Sequence, residues 1–251
     1  MKQDSVPDAG GSPVLSVIVP AFNEERGLPN TLRALSDYLA TRPWNWEVRV
    51  VDDGSADGTR AVVETFARSQ PRVVLQAEPH RGKGGAVRAG MLASRAAYRF
   101  MCDADLSMPV REIDRFMPPA LGDTDVAIGS REGIGARRVG EPMLRHLAGR
   151  VFNSLVRLST IRDIQDTQCG FKMFTAAAAD AIFPRVTLEG WAFDIEVLYL
   201  ARLRGLRVRE VPIEWHFRAD SRLRMGRDAI AMLREVMRVR RRARRGEYAR
   251  T

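Results

Sequence analysis

Lysine is nearly missing from this chain. Of 40 basic residues in 251, only Lys2, Lys83 and Lys172 are lysines. Arginine this abundant says little at any one position, so a lysine inside a motif carries more weight. Cysteine is as scarce. Cys102 and Cys169 have no metal-ligand spacing and no disulfide-rich setting. Both read as small apolar residues in tight spaces, in a chain suited to a reducing, cytosolic compartment. Long apolar runs are missing too. Stretches such as VLSVIVPAF and VAIGS fall far short of the roughly 20 residues that span a bilayer. The opening MKQDSVPDAGGSP lacks an apolar signal region, so residues 1–13 read as a short disordered lead, not a targeting peptide. No internal repeat or low-complexity segment follows, although AAAAD at 176–180 is rich in alanine.

What is present supports a folded domain. Hydrophobic residues make up 45% of the chain, enough for a core, and 251 residues suit one large α/β domain or two small ones. The net charge of +9 is uneven. From Ser221 onward, eleven arginines face Asp228, Glu235 and Glu247, a net +8 that leaves +1 for the first 220 residues. The pI of about 10.4 therefore reflects a basic tail. It does not mark a nucleic-acid-binding protein, because the domain lacks a basic, aromatic-bearing face.

Short β-branched runs alternate with helical patterns. VLSVIVP (14–20), WEVRVVDD (46–53), RVVLQAE (72–78), YRFMCD (98–103) and DVAIGSR (125–131) read as strands. Leu28, Leu32, Leu35 and Leu39 recur at helical spacing, as do Val62, Val63 and Phe66. Lys83 to Ser94, and a segment carrying Ile113, Phe116 and Met117, also read as helices. This alternation predicts an α/β fold with a mostly parallel, Rossmann-like sheet and helices on both faces. Ligands in such sheets bind at the carboxyl ends of the strands. Further on, GIGARRVGEP reads as a flexible link and Met143 to Ser159 as a helix. WAFDIEVLYLARLRG is followed by one strand, LRVREVPIEW (206–215). From about Gly226 the tail reads as an amphipathic helix, with Ile230, Leu233 and Met237 on one side and Arg234, Arg238, Arg241 and Arg245 on another.

The strand ends carry the chemistry. Asp103 and Asp105 stand one residue apart, where two carboxylates repel unless a cation neutralises them. Oxygen ligands suit Mg²⁺ or Mn²⁺, and Mg²⁺ commonly completes its shell with substrate phosphates. Alone, the pair reads equally as an acidic turn capping the next helix. Asp52 and Asp53 form a second acidic pair, whose Asp-Gly-Ser context also fits a turn and cap; the other reading is that one carboxylate accepts from a base or ribose. Glu24 and Glu25 fit first-turn helix acids. His80-Arg81-Gly82-Lys83-Gly84-Gly85 resembles an anion cradle before a helix N-terminus. It is not a Walker A loop, since the spacing and the Ser or Thr after Lys are absent.

In this order, VIVPAFNEE (17–25), VVDDGSADGT (50–59), GKGGAVRAG (82–90) and CDADLSMP (102–109) resemble family 2 glycosyltransferases of the GT-A fold. SRE (130–132), DTQCGFKMF (166–174), GWAFDIEVLYLA (190–201) and VREVPIEW (208–215) narrow the resemblance to dolichyl- and polyprenyl-phosphate glycosyltransferases, above all the dolichyl-phosphate β-glucosyltransferase type. The resemblance covers roughly Val14 to Arg222. It implies that Pro20, Phe22, Glu24 and Asp53 contact the nucleoside of a sugar nucleotide. Asp103 and Ala104 take its ribose and phosphate end, Lys83 also belongs to the nucleotide-sugar-binding set, and Asp105 binds the metal, with Ser107 as a second ligand position. Arg131 contacts the diphosphate or sugar. Asp166, Gln168, Gly170 and Lys172 form the floor near the sugar and the acceptor phosphate. Trp191, Asp194 and Glu196 lie beside the transferred sugar.

The implied layout is a catalytic domain over 14–220 and a basic amphipathic tail over 221–251. The implied reaction is inverting, metal-dependent transfer of a hexose to a polyprenyl or dolichyl phosphate. UDP-glucose is the leading donor and GDP-mannose the next. Lys172, Arg131, Arg218 and Arg222 would gather the acceptor anion. Many relatives carry transmembrane helices, and this sequence shows neither an N-terminal nor a C-terminal one. The tail is instead expected to hold the enzyme peripherally on anionic lipid at the inner face of the cell membrane. A further departure is Ala219-Asp220-Ser221-Arg222, with Arg where relatives tend to have Lys; a flat fork replaces a point charge. The rival enzyme reading is a family 2 transferase acting on a hydroxyl, which would need a base to deprotonate its acceptor.

Overall fold

The computed structural model describes residues 11–143, 146, 149–150, 153–154, 161, 163–218 and 227–248. Five strands appear where the apolar runs predict them: β1 (Leu15–Ala21), β2 (Trp46–Asp53), β3 (Val73–Glu78), β4 (Tyr98–Cys102) and β5 (Val126–Ser130). Between them lie α1 (Leu28–Ala40), α2 (Thr59–Ser69) and α3 (Lys83–Ala93). Then come β6 (Arg137–Val139), β7 (Phe171–Thr175), α4 (Ala176–Ile182), α5 (Phe193–Leu203), β8 (Val208–Pro212), β9 (Glu214–His216) and α6 (Arg227–Arg244).

The main sheet has the order β3-β2-β1-β4-β7-β5-β8. β1 pairs in parallel with both β2 and β4, while β7 runs antiparallel between β4 and β5. The chain winds outward from β1 to β3, then returns to place β4 on the other side of β1. That reversal opens a crevice at the carboxyl ends of β1 and β4, where doubly wound sheets bind ligands.

Strand alternation feeds two cores. Ile18 and Met101 point to the side covered by α3, α4, α5 and α6. Val17, Val19, Phe100 and Cys102 point to the side covered by α1. The α1 stripe of Leu28, Leu32, Leu35 and Leu39 is fully buried, as its spacing predicts.

Four expectations are corrected. The segment with Ile113 and Phe116 is a 3-10 turn over Val110–Phe116, not an α-helix. Met117 is extended, as a residue before proline tends to be, and this stops the winding. The supposed link GIGARRVGEP contains β6, which pairs with β9 in a separate two-stranded sheet. The single strand over 206–215 is two strands in different sheets. Pro212 ends β8 without an N–H to extend the ladder, and Ile213 donates to the Ser130 carbonyl before the chain crosses over.

The fourth correction concerns the tail. Met232, Val236 and Val239 on α6 are buried in the same core as α3 and α5, as is Tyr248. The segment expected as a basic amphipathic tail thus adds an apolar stripe to that core. Met237, on the expected apolar side, is 53% exposed; the side chains of Ile230 and Leu233 lie outside the described residues. The helix expected over Met143 to Ser159 falls largely outside them as well.

Candidate active site

A cavity of about 870 Å³ opens at the ends of β1, β2 and β4. Pro20 lies near the end of β1 and Phe22 just after it, Asp53 closes β2, and Asp103, Ala104 and Asp105 leave β4. Asp53 is buried and its carboxylate organises the 80–82 loop. Oδ1 accepts from the Arg81 backbone N–H at 2.8 Å and Oδ2 from the Gly82 N–H at 2.9 Å. His80 Nδ1 lies 2.8 Å from the same Oδ2. The imidazole stacks on Phe22, with ring centroids 4.3 Å apart and planes at 22°. Gly54 makes this contact feasible: its φ is +74° and a Cβ there would sit 2.8 Å from the His80 nitrogen. Glu24 also faces the cavity, and its backbone N–H donates to Thr59 Oγ1 at 2.8 Å.

The glycine-rich loop is not an open anion cradle. Its Arg81 and Gly82 N–H groups go to Asp53, and those of Gly84 and Gly85 donate to the Glu189 carbonyl at 2.8 and 3.3 Å. The glycines serve close packing instead, since a Cβ on Gly84 would meet the Leu188 carbonyl at 2.5 Å. From this loop His80, Gly82 and the Lys83 side chain reach the cavity.

Lys83 and Lys172, two of the three lysines, sit in one charged cluster. Lys83 Nζ pairs with Asp103 Oδ1 at 2.6 Å and lies 5.4 Å from the centre of the Trp191 ring. Burial works against its charge, but Asp103 and then Asp194 raise its pKa above the usual lysine value. Lys172 is 1% exposed; its Nζ pairs with Asp194 Oδ1 at 2.6 Å and donates to the Cys169 carbonyl. Burial pushes Asp194 up, against the pull of Lys172 and Lys83. Gly170 makes room for Asp103, because a Cβ there would lie 1.8 Å from Asp103 Oδ2. Asp105 opens onto the cavity. Withdrawal from water and the neighbouring Asp103 push its carboxyl above the usual range, against hydrogen bonds from Ser107.

Other expected site residues lie behind this surface. Asp166 is buried and forms a two-pronged pair with Arg131, at 2.7 Å to Nε and 2.9 Å to Nη2, and also accepts from the Arg131 backbone N–H. Burial alone would raise the Asp166 carboxyl, but the Arg131 guanidinium holds it down at about 2. Gln168 donates its backbone N–H to Asp166 at 3.3 Å. Neither Arg131 nor Asp166 lines the cavity, so the guanidinium expected on the diphosphate or sugar is engaged by a carboxylate. Lys172, expected to gather the acceptor, is sealed against Asp194 instead. Glu196, expected beside the sugar, is fully buried and turned to Thr187, Leu188 and Tyr248. Trp191 and Arg218 do line the cavity. Arg222 lies outside the described residues.

Among the cavity residues missed, two have clear positioning contacts. His80 was read only as part of a glycine loop, and its tie to Asp53 spans 27 positions. Thr31 on α1 donates to the Ala104 carbonyl at 2.5 Å and fixes the turn between the two acids; no local signal marks it.

Among the described residues no group of three or more His, Cys, Asp or Glu side chains could hold a metal by itself. Asp103 and Asp105 nevertheless fit a hard cation that takes further oxygens from phosphates and water. Burial, and then the repulsion from Asp103, raise the Asp105 carboxyl, and such an ion relieves that repulsion.

The family model described as glycosyl transferase family 2 matches residues 16–183. The chain belongs to that family and is a glycosyltransferase with a GT-A fold. Within it, the similarity is to dolichyl-phosphate β-glucosyltransferases. The protein of that name from Dictyostelium discoideum is 35% identical over 243 residues, covering 90% of this chain and 73% of its own length. The Drosophila melanogaster protein is 38% identical, covering 85% and 72%, and the human one 32%, covering 91% and 78%. Among solved structures, glucosyl-3-phosphoglycerate synthase from Mycobacterium tuberculosis in complex with UDP superposes with a TM-score of 0.64. It is 21% identical and covers 90% of this chain and 78% of that one. The same enzyme in complex with Mn²⁺, UDP-glucose and phosphoglyceric acid also gives 0.64. At this identity the likeness is one of fold.

Proposed function

We propose that the chain transfers glucose, with inversion, from UDP-glucose to a polyprenyl phosphate of the dolichyl type. The observation that carries this reading is the Asp103–Asp105 pair beside Lys83 on a cavity at the sheet's point of reversal. Two acids and one cation in a row suit a diphosphate with a divalent ion, and the names of the relatives supply the sugar and the acceptor. A bound Mg²⁺ or Mn²⁺, held by Asp105 with Asp103 and Ser107 beside it, would neutralise charge on the leaving diphosphate.

The chain's own residues do the rest. Phe22 and the His80 ring that Asp53 fixes form a flat wall for the nucleoside, bordered by Pro20 and Glu24. Ala104 is small enough to leave room between the acids. Lys83 meets the diphosphate, and Trp191 covers the sugar. The nucleophile is a phosphate oxygen already ionised at neutral pH, so no strong base is required. That agrees with a site whose Asp166 is committed to Arg131. Arg218, exposed on the cavity, is a cation placed to draw in the acceptor anion.

The outer face of α6, with exposed Arg234, Arg238 and Arg241, and Arg245 just beyond its end, would rest on anionic lipid at the cytoplasmic face of the membrane. No helix among the described residues is long and apolar enough to cross one. The test is a donor screen with a short polyprenyl phosphate, with Mg²⁺, Mn²⁺ or chelator, on the wild type and Asp105→Ala. Glucosyl transfer from UDP-glucose that needs both metal and Asp105 supports the reading. Preference for GDP-mannose overturns the donor, and metal-independent transfer overturns the role of Asp105.

A further inference from the structure

Trp191 and Gly190 form one wall of the cavity, yet the segment from Thr187 to Trp191 belongs to no helix or strand. Its position is set by side chains. On one side the Glu189 carbonyl caps the α3 N-terminus at Gly84 and Gly85. On the other side is Glu196, a fully buried carboxylate on α5. It accepts from the Thr187 N–H at 2.8 Å, the Leu188 N–H at 2.7 Å and the Thr187 hydroxyl at 2.8 Å. Its remaining donor comes from beyond α6: the Tyr248 hydroxyl at 2.6 Å, 52 positions away. These donors are all neutral, and losing any one of them would leave a buried carboxylate oxygen short of a partner. Arg242 on α6 lies over the Tyr248 ring at 5.3 Å and donates to the Thr187 hydroxyl. Glu235, also on α6, accepts from the Ala192 backbone.

We infer that Glu196 and Tyr248 form a latch that positions the Thr187–Trp191 wall against Lys83, so that the C-terminal helix sets how well the cavity engages its substrate. Glu196 is thus a positioning residue that does not touch the sugar. Tyr248 makes the docking of α6 a condition for a closed wall. The inference rests on reading this cavity as the donor site, but its physical readout needs no substrate.

The test uses the full chain and two conservative variants, Tyr248→Phe and Thr187→Val, each of which removes a hydroxyl and keeps the packing. A third variant, Val63→Ala, thins the core beneath α2, remote from the latch, and serves as a stability control. Trp191 is assigned by the difference from Trp191→Phe, and its access to acrylamide is measured at a temperature where every variant is folded. The latch predicts higher quenching of Trp191 in Tyr248→Phe and Thr187→Val but not in Val63→Ala. It also predicts a rise in donor KM of roughly three- to tenfold, the range one net hydrogen bond supplies, with a smaller change in kcat. Unchanged quenching in both latch variants overturns the inference, whatever the activity. Equal quenching in Val63→Ala also overturns it, because the effect would then be general loosening. Changed quenching with an unchanged donor KM leaves the wall latched but refutes its part in substrate engagement. A chain with no transferase activity but the predicted quenching pattern would sink the proposed function and spare the latch.

Discussion

Replacing Asp166 with Asn should cost the protein a definable amount of stability with a definable pH dependence. The Asp166 carboxylate accepts three hydrogen bonds from Arg131 and one from Gln168, and it is 2% exposed. Its folded-state pKa is about 2, against an ordinary value of 3.8. At 1.36 kcal/mol per unit, that difference is about 2 kcal/mol of stability at neutral pH. Removing the charge from one partner of a buried pair leads to a similar figure, about 3 kcal/mol at the lower end. For a chain of this size, 2–3 kcal/mol lowers the melting temperature by roughly 5–10 °C. The sign follows from the direction of the shift. The folded value lies below the unfolded one, so the stabilisation is complete above about pH 4 and disappears as pH falls toward 2. Urea unfolding of wild type and Asp166→Asn at a series of pH values measures both. The curves should differ at pH 7 and converge over the lowest two units. A neutral-pH difference below about 0.5 kcal/mol, or one that persists unchanged at pH 2–3, refutes the pairing as described.

Asp105→Asn should do the reverse. Its carboxyl is raised in the folded state, so it works against the fold above its unfolded pKa; the amide should raise the metal-free melting temperature while abolishing metal-dependent turnover. Wild type should instead gain stability from Mn²⁺ with UDP, and differential scanning fluorimetry reads both effects. Gly170→Ala should displace the Asp103 carboxylate, because the new Cβ would lie 1.8 Å from Oδ2; loss of UDP binding by calorimetry in a folded variant is the expected result. Reversing Arg234 and Arg238 to Glu should abolish flotation with anionic vesicles at low salt and leave transfer to a detergent-dispersed acceptor intact. Wild-type protein that fails to float at low salt would refute lipid contact by α6.

The sheet was legible wherever a β-branched run ended in polar residues, and α1 wherever leucines kept a helical period. The acidic turn after β4 was legible because two adjacent like charges demand an explanation. Partnerships across long sequence distances were not. Lys172 reads as an acceptor-gathering cation in DTQCGFKMF, and only the pairing of β7 between β4 and β5 places it inside, against Asp194. HRGKGG looks like an open cradle until the carbonyl of Glu189, over 100 positions later, fills it. In α6, two apolar stripes compete among arginines. The composition of the helix gives no preference between Met237 and the Val236–Val239 pair, and the core opposite decides it.

The tail's place in the core has a practical consequence. Met232, Val236, Val239 and Tyr248 roof the same apolar cluster that carries Phe193 and Leu198. Deleting the C-terminal residues to ask whether they hold the membrane would strip that roof, and the shortened protein would fail for reasons unrelated to lipid. Lipid contact and catalysis are therefore separable only by recharging the outer arginines while the inner stripe stays untouched. By the same logic, a lipid surface pressing on those arginines would reach the cavity through the core that α6 shares with α3 and α5.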